Sequence, residues 1–310
     1  MISDLFSVTV LLGILSSGIR LATPYLFASI GEAFSQRSGV LNLGVEGQMI
    51  LGAFTAFYVV MNTDNLLLGV LAGMAVGALM GLAMGFVSVT LQAQQGISGI
   101  GFYLFGLGMS NLLFQTLVGT VETVRGFPDL PIPLLSDIPV IGDIFFNKNI
   151  LVYLAFLLVP VASFVLNKTT LGLKIRAVGE NPEAADSLGV SVLKIRYFTT
   201  IFGGMMSGLS GASLSIALLN VFQLGMTAGQ GFIAVALVYF GAWRPWGILA
   251  GTLLFSLVNG LQLWIQVLGI NIPSEFAVMM PYVLTILVLT ASRTKYAAPS
   301  ALTKPFEREG

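Results

Sequence analysis

Residues 66–90, LLLGVLAGMAVGALMGLAMGFVSVT, run for 25 positions without a charged side chain. About 20 apolar residues are enough for a helix to cross the hydrocarbon core of a bilayer, so this stretch predicts a transmembrane helix. The whole chain has the same character, with 56% hydrophobic residues, 9% charged residues and a mean hydropathy of +0.92. Such a composition leaves too little polar surface for a soluble globule and predicts an all-α, polytopic transmembrane helical bundle.

The apolar runs predict about 9–10 membrane segments, some of them short or broken. The N-terminal run lacks a basic leader and is expected to be a retained span rather than a cleaved signal. Residues 24–34 are too short for a full crossing, and the sequence leaves open whether they cross or are half-inserted. The expected segments are residues 5–19, 24–34, 45–60, 66–90, 98–120, 150–166, 197–219, 231–242, 246–268 and 276–291.

Glycine is abundant, with 36 residues in the chain. One group recurs at steps of four between residues 69 and 85, and a second lies between residues 203 and 211. Small residues on one helix face let two backbones approach closely in lipid. Both groups are therefore expected to be helix-packing surfaces.

The composition excludes several classes of function. The chain has no cysteine and no histidine, which removes Ser-His-Asp and Cys-His centres, zinc helices and histidine proton relays. It has no Walker A sequence for ATP hydrolysis, and its net charge of zero argues against a nucleic-acid partner. We therefore expect neither an enzyme nor a bound metal or cofactor.

Residues 167–196, NKTTLGLKIRAVGENPEAADSLGVSVLKIR, form a charge-dense island between apolar runs. Asn181 is a good N-cap, Pro182 suits the first helical position, and Gly189 can end a helix, so a two-turn helix is expected over residues 181–189. The basic residues around it place this loop in the cytoplasm by the positive-inside rule. Two interpretations remain open, a docking surface for a cytosolic partner and a solvated connector whose charges only set topology.

Residues 121–149 form the other long loop. Four acidic residues outnumber two basic ones there and four prolines stiffen it, which predicts an extracytoplasmic position. The basic tail, residues 293–310, is then expected in the cytoplasm, and the chain as one transmembrane domain, residues 1–310. Arg20 is an exception, because it faces outward if both N-terminal segments cross.

Residues 31–54, GEAFSQRSGVLNLGVEGQMILGAF, place Glu32, Arg37, Asn42 and Glu46 next to membrane segments. Ionised groups are costly there unless they are paired or hydrated. One interpretation is a gate or part of the translocation path, built on a broken helix with Asn42 and Glu46 on one face. The alternative is an ion pair of Arg37 with Glu46 or Glu32 that locks a tight turn.

Uncharged polar side chains lie in or near other segments, beside aromatic residues. Amides beside aromatic rings suit a neutral, hydroxyl-rich or ring-bearing solute such as a sugar or a nucleoside. Hydrogen bonds between helices explain the same residues without a ligand. The candidates for the path are Asn111, Gln115, Asn220, Gln223, Thr227 and Gln230.

Three motifs together resemble the permease subunits of bacterial ABC importers for simple sugars and nucleosides, a group that includes ribose and branched-chain amino-acid permeases. They are the block 31–54, the loop TLGLKIRAVGENPEAADSLGV and the segment MTAGQGFIAVALVYFGAWRPWG. The GMTAGxGF form at residues 225–232 resembles the nucleoside and purine branch more than the amino-acid branch.

This resemblance implies that the cytoplasmic loop couples the chain to a separate ATPase subunit. It also implies a second permease subunit, identical or related, and a substrate-binding lipoprotein or periplasmic protein, in the lipid of the cytoplasmic membrane. Two permeases would enclose the path and tilt between outward and inward access. The implied coupling residues are Arg176, Val178, Gly179, Glu180, Asn181, Pro182, Glu183, Ala184, Asp186 and Gly189.

An alternative from another class is an ion- or proton-coupled secondary transporter, whose coupling sites would be carboxylates inside the membrane. Glu32, Glu46 and Glu275 are the candidates, and the sequence places all three at the margins of segments. An intramembrane enzyme is a weaker alternative, because the chain lacks a nucleophile-base pair and metal ligands.

Overall fold

The computed structural model describes residues 8–138, 141–268 and 298–307, together with six separate helical residues between 276 and 290. Glu275, most of the expected segment 276–291, and the tail residues Arg293, Lys295 and Arg308 lie outside the described residues.

The described chain is a helical bundle. Its long helices are α1 (Val8–Arg37), α2 (Val45–Thr63), α3 (Leu66–Gly85), α4 (Gln95–Leu117), α5 (Ile150–Lys168), α8 (Val192–Ser213) and α10 (Pro245–Val267). The short ones are α6 (Thr170–Glu180), α7 (Pro182–Ser187) and α9 (Gln230–Phe240), while α3 and α8 each end in a π-helical turn. Within the described residues, six helices are long and apolar enough to span a membrane; α2 and α9 are not among them. The all-α polytopic bundle is confirmed.

The two expected N-terminal segments are one helix. Helix α1 continues through Pro24 and has 30 residues, so it is about 45 Å long at 1.5 Å per residue. The hydroxyl of Ser210 in α8 donates a hydrogen bond to the Pro24 carbonyl oxygen at 2.6 Å, which ties α1 to α8 at this point. The separate half-inserted segment is therefore wrong. Arg20 lies within α1, close enough to Lys148 of the 121–149 loop for their charges to interact.

Helix α8 is the centre of the bundle, and 78% of the residues in its most apolar stretch of 18 are buried. It faces α3 along the two glycine groups. A Cβ atom at Gly77 would overlap the carbonyl oxygen of Gly204, and one at Gly208 would overlap the carbonyl oxygen of Gly73. The expectation that these glycines allow close backbone packing is confirmed, because no larger residue fits at this spacing.

The 121–149 loop contains two short antiparallel strands that the sequence did not suggest, β1 (Asp129–Pro131) and β2 (Asn147–Asn149). Lys148 of β2 is buried and donates a hydrogen bond from Nζ to the Ser16 hydroxyl of α1 at 2.5 Å. Burial, and then the like charge of Arg20, lower the pKa of Lys148. This contact fixes the loop against one end of α1.

The opposite end of the bundle carries α6, α7 and residues 298–307. The backbone N–H of Ala301 donates to the carbonyl oxygen of Gly179 at 2.9 Å, and that of Thr303 donates to the carbonyl oxygen of Gly39 at 3.0 Å. The guanidinium of the buried Arg196 donates to the carbonyl oxygens of Ser38 and Lys304. The C-terminal segment therefore ties α6 to the turn that follows α1.

We expect Gly77→Leu to lower the thermal stability of the purified protein in detergent, because its side chain would force α3 away from α8. Overpacking of this kind costs roughly 1–3 kcal/mol. The matched control is Gly101→Leu in α4, where a Cβ atom meets nothing within 4 Å. Equal melting temperatures for the two variants would contradict the close packing of α3 and α8.

Candidate translocation site and coupling surface

The central feature of the site is the side chain of Glu46, in the first turn of α2 and only 3% exposed. Its Oε1 accepts hydrogen bonds from the Thr227 hydroxyl at 2.6 Å and the Gly229 N–H at 2.8 Å. Its Oε2 accepts from the Gly231 N–H at 2.6 Å. These donors surround the N-terminus of α9, which has Gly229 as its N-cap. A carboxylate at a helix N-terminus satisfies unpaired N–H groups and complements the helix dipole.

Helix α9 is the second half of an interrupted segment. After α8, the chain pairs with the 121–149 loop, where the Val124 N–H donates to the carbonyl oxygen of Asn220 at 2.9 Å. Residues 219–229 then lead without regular helix to Glu46, where α9 begins. Just beyond its other end, the carbonyl oxygen of Trp243 accepts from Arg37 Nε at 3.0 Å. Such half-helices inside a bundle are a known basis of solute sites in transporters.

The chain between α1 and α2 turns back into the bundle. Gly39 has a φ of +95°, a value that glycine adopts without strain, and Gly44 is the N-cap of α2. Asn42 lies in this turn before α2 begins. The expectation that Asn42 and Glu46 share a helix face is therefore wrong. Its side chain accepts from the Gly44 N–H at 2.9 Å and donates to Gln48 Oε1 at 3.0 Å. The helix break that the glycines predicted is confirmed.

Glu32 is fully buried one turn before the end of α1. Its Oε1 accepts from Gln36 Nε2 at 2.8 Å and from the Asn42 N–H at 3.0 Å. The Trp243 indole N–H donates to Gln36 Oε1 at 2.8 Å, which links this network to the end of α9. The expected ion pair of Arg37 with Glu46 or Glu32 is wrong, because both carboxylates accept from uncharged donors. Both carboxylates lie near helix ends, as the sequence placed them, and both are buried.

The remaining path candidates do not form one cluster. Thr227 contacts Glu46, and Gln230 is the first residue of α9, with a buried Oε1 that has no hydrogen-bond partner within the described part of the chain. Asn220 lies against the 121–149 loop, and Gln115 and Gln223 are exposed. Asn111, in α4, also has a buried oxygen without a partner. Sequence patterns missed Gln36 and Gln48, although the spacing of four between Glu32 and Gln36 was a usable signal.

Trp243 and Trp246 have different environments, although they are only three positions apart. Trp243 is 5% exposed and holds Gln36, whereas Trp246 is 57% exposed. Only Trp246 has the position of an interfacial anchor.

Residues 170–189 contain all the implied coupling residues and are called the coupling segment here. They fold as two helices where one was expected. Asn181 caps α7 through a hydrogen bond from the Ala184 N–H to its Oδ1 at 3.0 Å, and Gly189 ends the turn with a φ of +82°. Helix α7 has six residues, and the preceding α6 was not expected. The exposed members of the predicted set are Glu180, Asn181, Glu183, Ala184 and Gly189.

The other predicted coupling residues are less accessible. Val178 and Gly179 are buried, and a Cβ atom at Gly179 would overlap the carbonyl oxygen of Arg37. Arg176, Pro182 and Asp186 are half-buried. Leu188, which was not in the predicted set, is 84% exposed at the end of α7. The segment therefore presents a small outward face and is packed against the end of α1 through Gly179.

Comparisons with known proteins agree over most of the chain. The family described as branched-chain amino acid transport system / permease component matches residues 14–289. The chain is 39% identical to the putative glucose ABC transporter permease protein of Haloferax volcanii, over 96% of this chain and 98% of that protein. It is 37% identical to the guanosine ABC transporter permease protein of Bacillus subtilis, over 92% of this chain and 93% of that protein.

A third relative is the nucleoside ABC transporter permease protein of Lactococcus lactis, 38% identical over 90% of this chain and 92% of that protein. No solved structure matches the chain significantly. Permease subunits of ABC transporters are not themselves enzymes, because ATP hydrolysis belongs to a separate subunit. These relatives favour an ATP-driven transporter over an ion-coupled one. The helices and the relatives together identify a multi-pass membrane protein that belongs to the family of branched-chain amino acid transport system permease components.

Proposed function

We propose that this chain is the membrane-spanning subunit of an importer for a nucleoside or a simple sugar, in the cytoplasmic membrane of a bacterium. The observation that carries the proposal is the similarity, along nearly the whole chain, to permease proteins named for glucose, guanosine and nucleosides. Two permease subunits, identical or related, enclose the path, and a separate ATPase and a substrate-binding protein complete the transporter.

The chemistry around Glu46 supports an uncharged solute. The two carboxylate oxygens accept three hydrogen bonds, from Thr227, Gly229 and Gly231, so most of their acceptor capacity is used within the chain. Beside it, the unpartnered oxygen of Gln230 is available to a hydroxyl or amino group of a solute. Phe232 of α9 packs edge-on against Tyr103 of α4 with ring centroids 5.2 Å apart, which adds an aromatic surface. Amide and aromatic groups together suit a sugar or a nucleobase.

The proposed topology places residues 167–196 and 293–310 in the cytoplasm and residues 121–149 outside, with the whole chain as a single permease domain. Glu180, Asn181, Glu183 and Ala184 then face the ATPase, with Leu188 at the end of the same surface. Buried residues of the predicted set transmit the movement and do not contact the partner. Gly179 lies against the carbonyl oxygen of Arg37. The turn that follows Arg37 includes Asn42, whose N–H donates to Glu32, and it leads into α2, which contains Glu46.

The complete transporter in proteoliposomes should accumulate a radiolabelled nucleoside or sugar only when ATP is present. The chain has no Walker A sequence, so the ATPase subunit has to supply the energy for uptake. Guanosine, uridine and glucose are the solutes to compare. The control contains the permease without its ATPase and should show no uphill uptake. Accumulation by that control under an ion gradient would instead establish a secondary transporter.

Charge reversal by Glu183→Lys should lower ATP-dependent uptake and stimulated ATP turnover by about tenfold or more, as expected when a charged contact at an interface is lost. Because Glu183 is exposed, the melting temperature should not change. Glu122→Lys reverses an exposed charge on the opposite loop and serves as the matched control. Wild-type ATP turnover in Glu183→Lys would refute the coupling role. Gly179 is a poorer test, since any side chain there also disturbs α1.

Glu46→Gln should lower both uptake and thermal stability. The amide of glutamine places N–H groups where the carboxylate now accepts, so at least one buried donor of α9 loses its partner, at a cost of roughly 1–3 kcal/mol. The control is Asp64→Asn at the exposed C-terminal end of α2, where asparagine tolerates the left-handed backbone. Unchanged melting and uptake in Glu46→Gln would show that the cap on α9 is dispensable.

A further inference from the structure

A cavity of about 810 Å³ opens near the coupling segment, among residues from α1, α5, α6, α9 and α10 and from the turn before α10. Its volume is within the range of small-molecule sites in proteins. Arginine side chains contribute much of its polar lining, and the described residues most relevant to a ligand are Arg37, Arg176, Arg244, Asn167, Phe240 and Trp246. This cavity is separate from Glu46 and from the exposed face of α7.

Positive charge is concentrated in this cavity. The charges of Arg176 and Arg244 both act on the guanidinium of Arg37. Among the described residues, the carboxylate whose charge acts on Arg37 in the opposite sense is Glu180, which is exposed and accepts hydrogen bonds from Ser300. Three guanidinium groups in one cavity repel one another, so an anion placed between them would be strongly favoured.

Arg176 also has an unused hydrogen-bond donor. Its Nε is buried and has no hydrogen-bond partner among the described residues, whereas Arg37 Nε donates to the carbonyl oxygen of Trp243. A buried charged donor without an acceptor costs free energy, and such a group calls for a ligand that supplies one. Arginine binds phosphate oxygens in a bidentate manner, which fits this need.

The position of the cavity indicates where the phosphate comes from. Asn167 lies at the end of α5, Arg37 at the end of α1, and Trp246 at the start of α10, so the cavity is at the level where these membrane helices end. Trp246 is exposed at its edge, as is typical of a side chain at the membrane-water interface. Phe240 adds an apolar wall beside the arginines. Basic pockets between membrane helices on one surface are suited to acidic lipid headgroups.

We propose that this cavity is a binding site for a phosphate-bearing anion, supplied by the headgroup of an anionic phospholipid. Arg176, Arg37 and Arg244 hold the phosphate, while Trp246 and Phe240 lie along the glycerol and the first carbons of the acyl chains. A lipid bound here bridges α1, α5, α6 and α10 beside the coupling segment. The site does not depend on the identity of the transported solute.

The test is lipid retention by the purified, assembled transporter, measured by native mass spectrometry during titration with phosphatidylglycerol or phosphatidylcholine. The wild type should bind at least one phosphatidylglycerol about fivefold more tightly than phosphatidylcholine. Arg176→Gln should lower the ratio of the two affinities by about fivefold, the factor expected for one cationic group at a membrane surface. The matched control is Lys174→Gln, which removes an exposed cation two positions away in α6.

Equal binding of the two lipids by the wild type, or an equal loss in Lys174→Gln, would overturn the proposal. A parallel arm measures thermal stabilisation by inorganic phosphate without added lipid. One outcome is that phosphate stabilises the wild type but not Arg176→Gln, while the wild type shows no preference for phosphatidylglycerol. This outcome would support the phosphate site and rule out a lipid headgroup as the source of the phosphate. If Arg176→Gln does not elute as a single species, Arg244→Gln replaces it, and an unchanged lipid preference in that variant overturns the proposal.

Discussion

The architecture of the candidate path depends on one interaction, the capping of α9 by the buried carboxylate of Glu46. A helix that begins inside a bundle exposes N–H groups that neither lipid nor apolar side chains can satisfy. Glu46 supplies both carboxylate oxygens to these groups, and the dipole of α9 in turn stabilises its negative charge. A broken backbone is therefore tolerated inside the bundle.

A second constraint is the close contact of the coupling segment with the turn between α1 and α2. Gly179 lies against the carbonyl oxygen of Arg37, and the C-terminal segment bonds to both Gly179 and Gly39. From this turn, the Asn42 N–H bonds to Glu32, and the Gln36 side chain connects Glu32 to Trp243 beyond α9. A displacement of α6 would reach the end of α1 and the end of α9 through a few short contacts, which suits rigid-body movement.

The sequence predicted the class of fold and several local features well. Residues 66–90 were sufficient for a transmembrane helix, because length and apolar composition are local properties. The Asn181 cap, the Gly189 end of α7 and the glycine contact between α3 and α8 also followed from residue type and spacing. The division of α1 into two segments was wrong, since helix α1 continues through Pro24, and proline is tolerated in membrane helices that pack in a bundle.

By itself, the sequence thus determined that the chain is a helical membrane protein, where its polar motifs lie, and where the short helix α7 is capped and ends. Only the tertiary structure decided which partners the buried charges have. Glu46 is separated from Gly229 by 183 positions and Arg37 from Trp243 by 206, and no local pattern encodes such pairs. The ion pair of Arg37 with Glu46 or Glu32 was inferred from closeness in sequence. It does not form because Arg37 bonds to the Trp243 carbonyl oxygen, while Glu46 and Glu32 accept from backbone N–H groups.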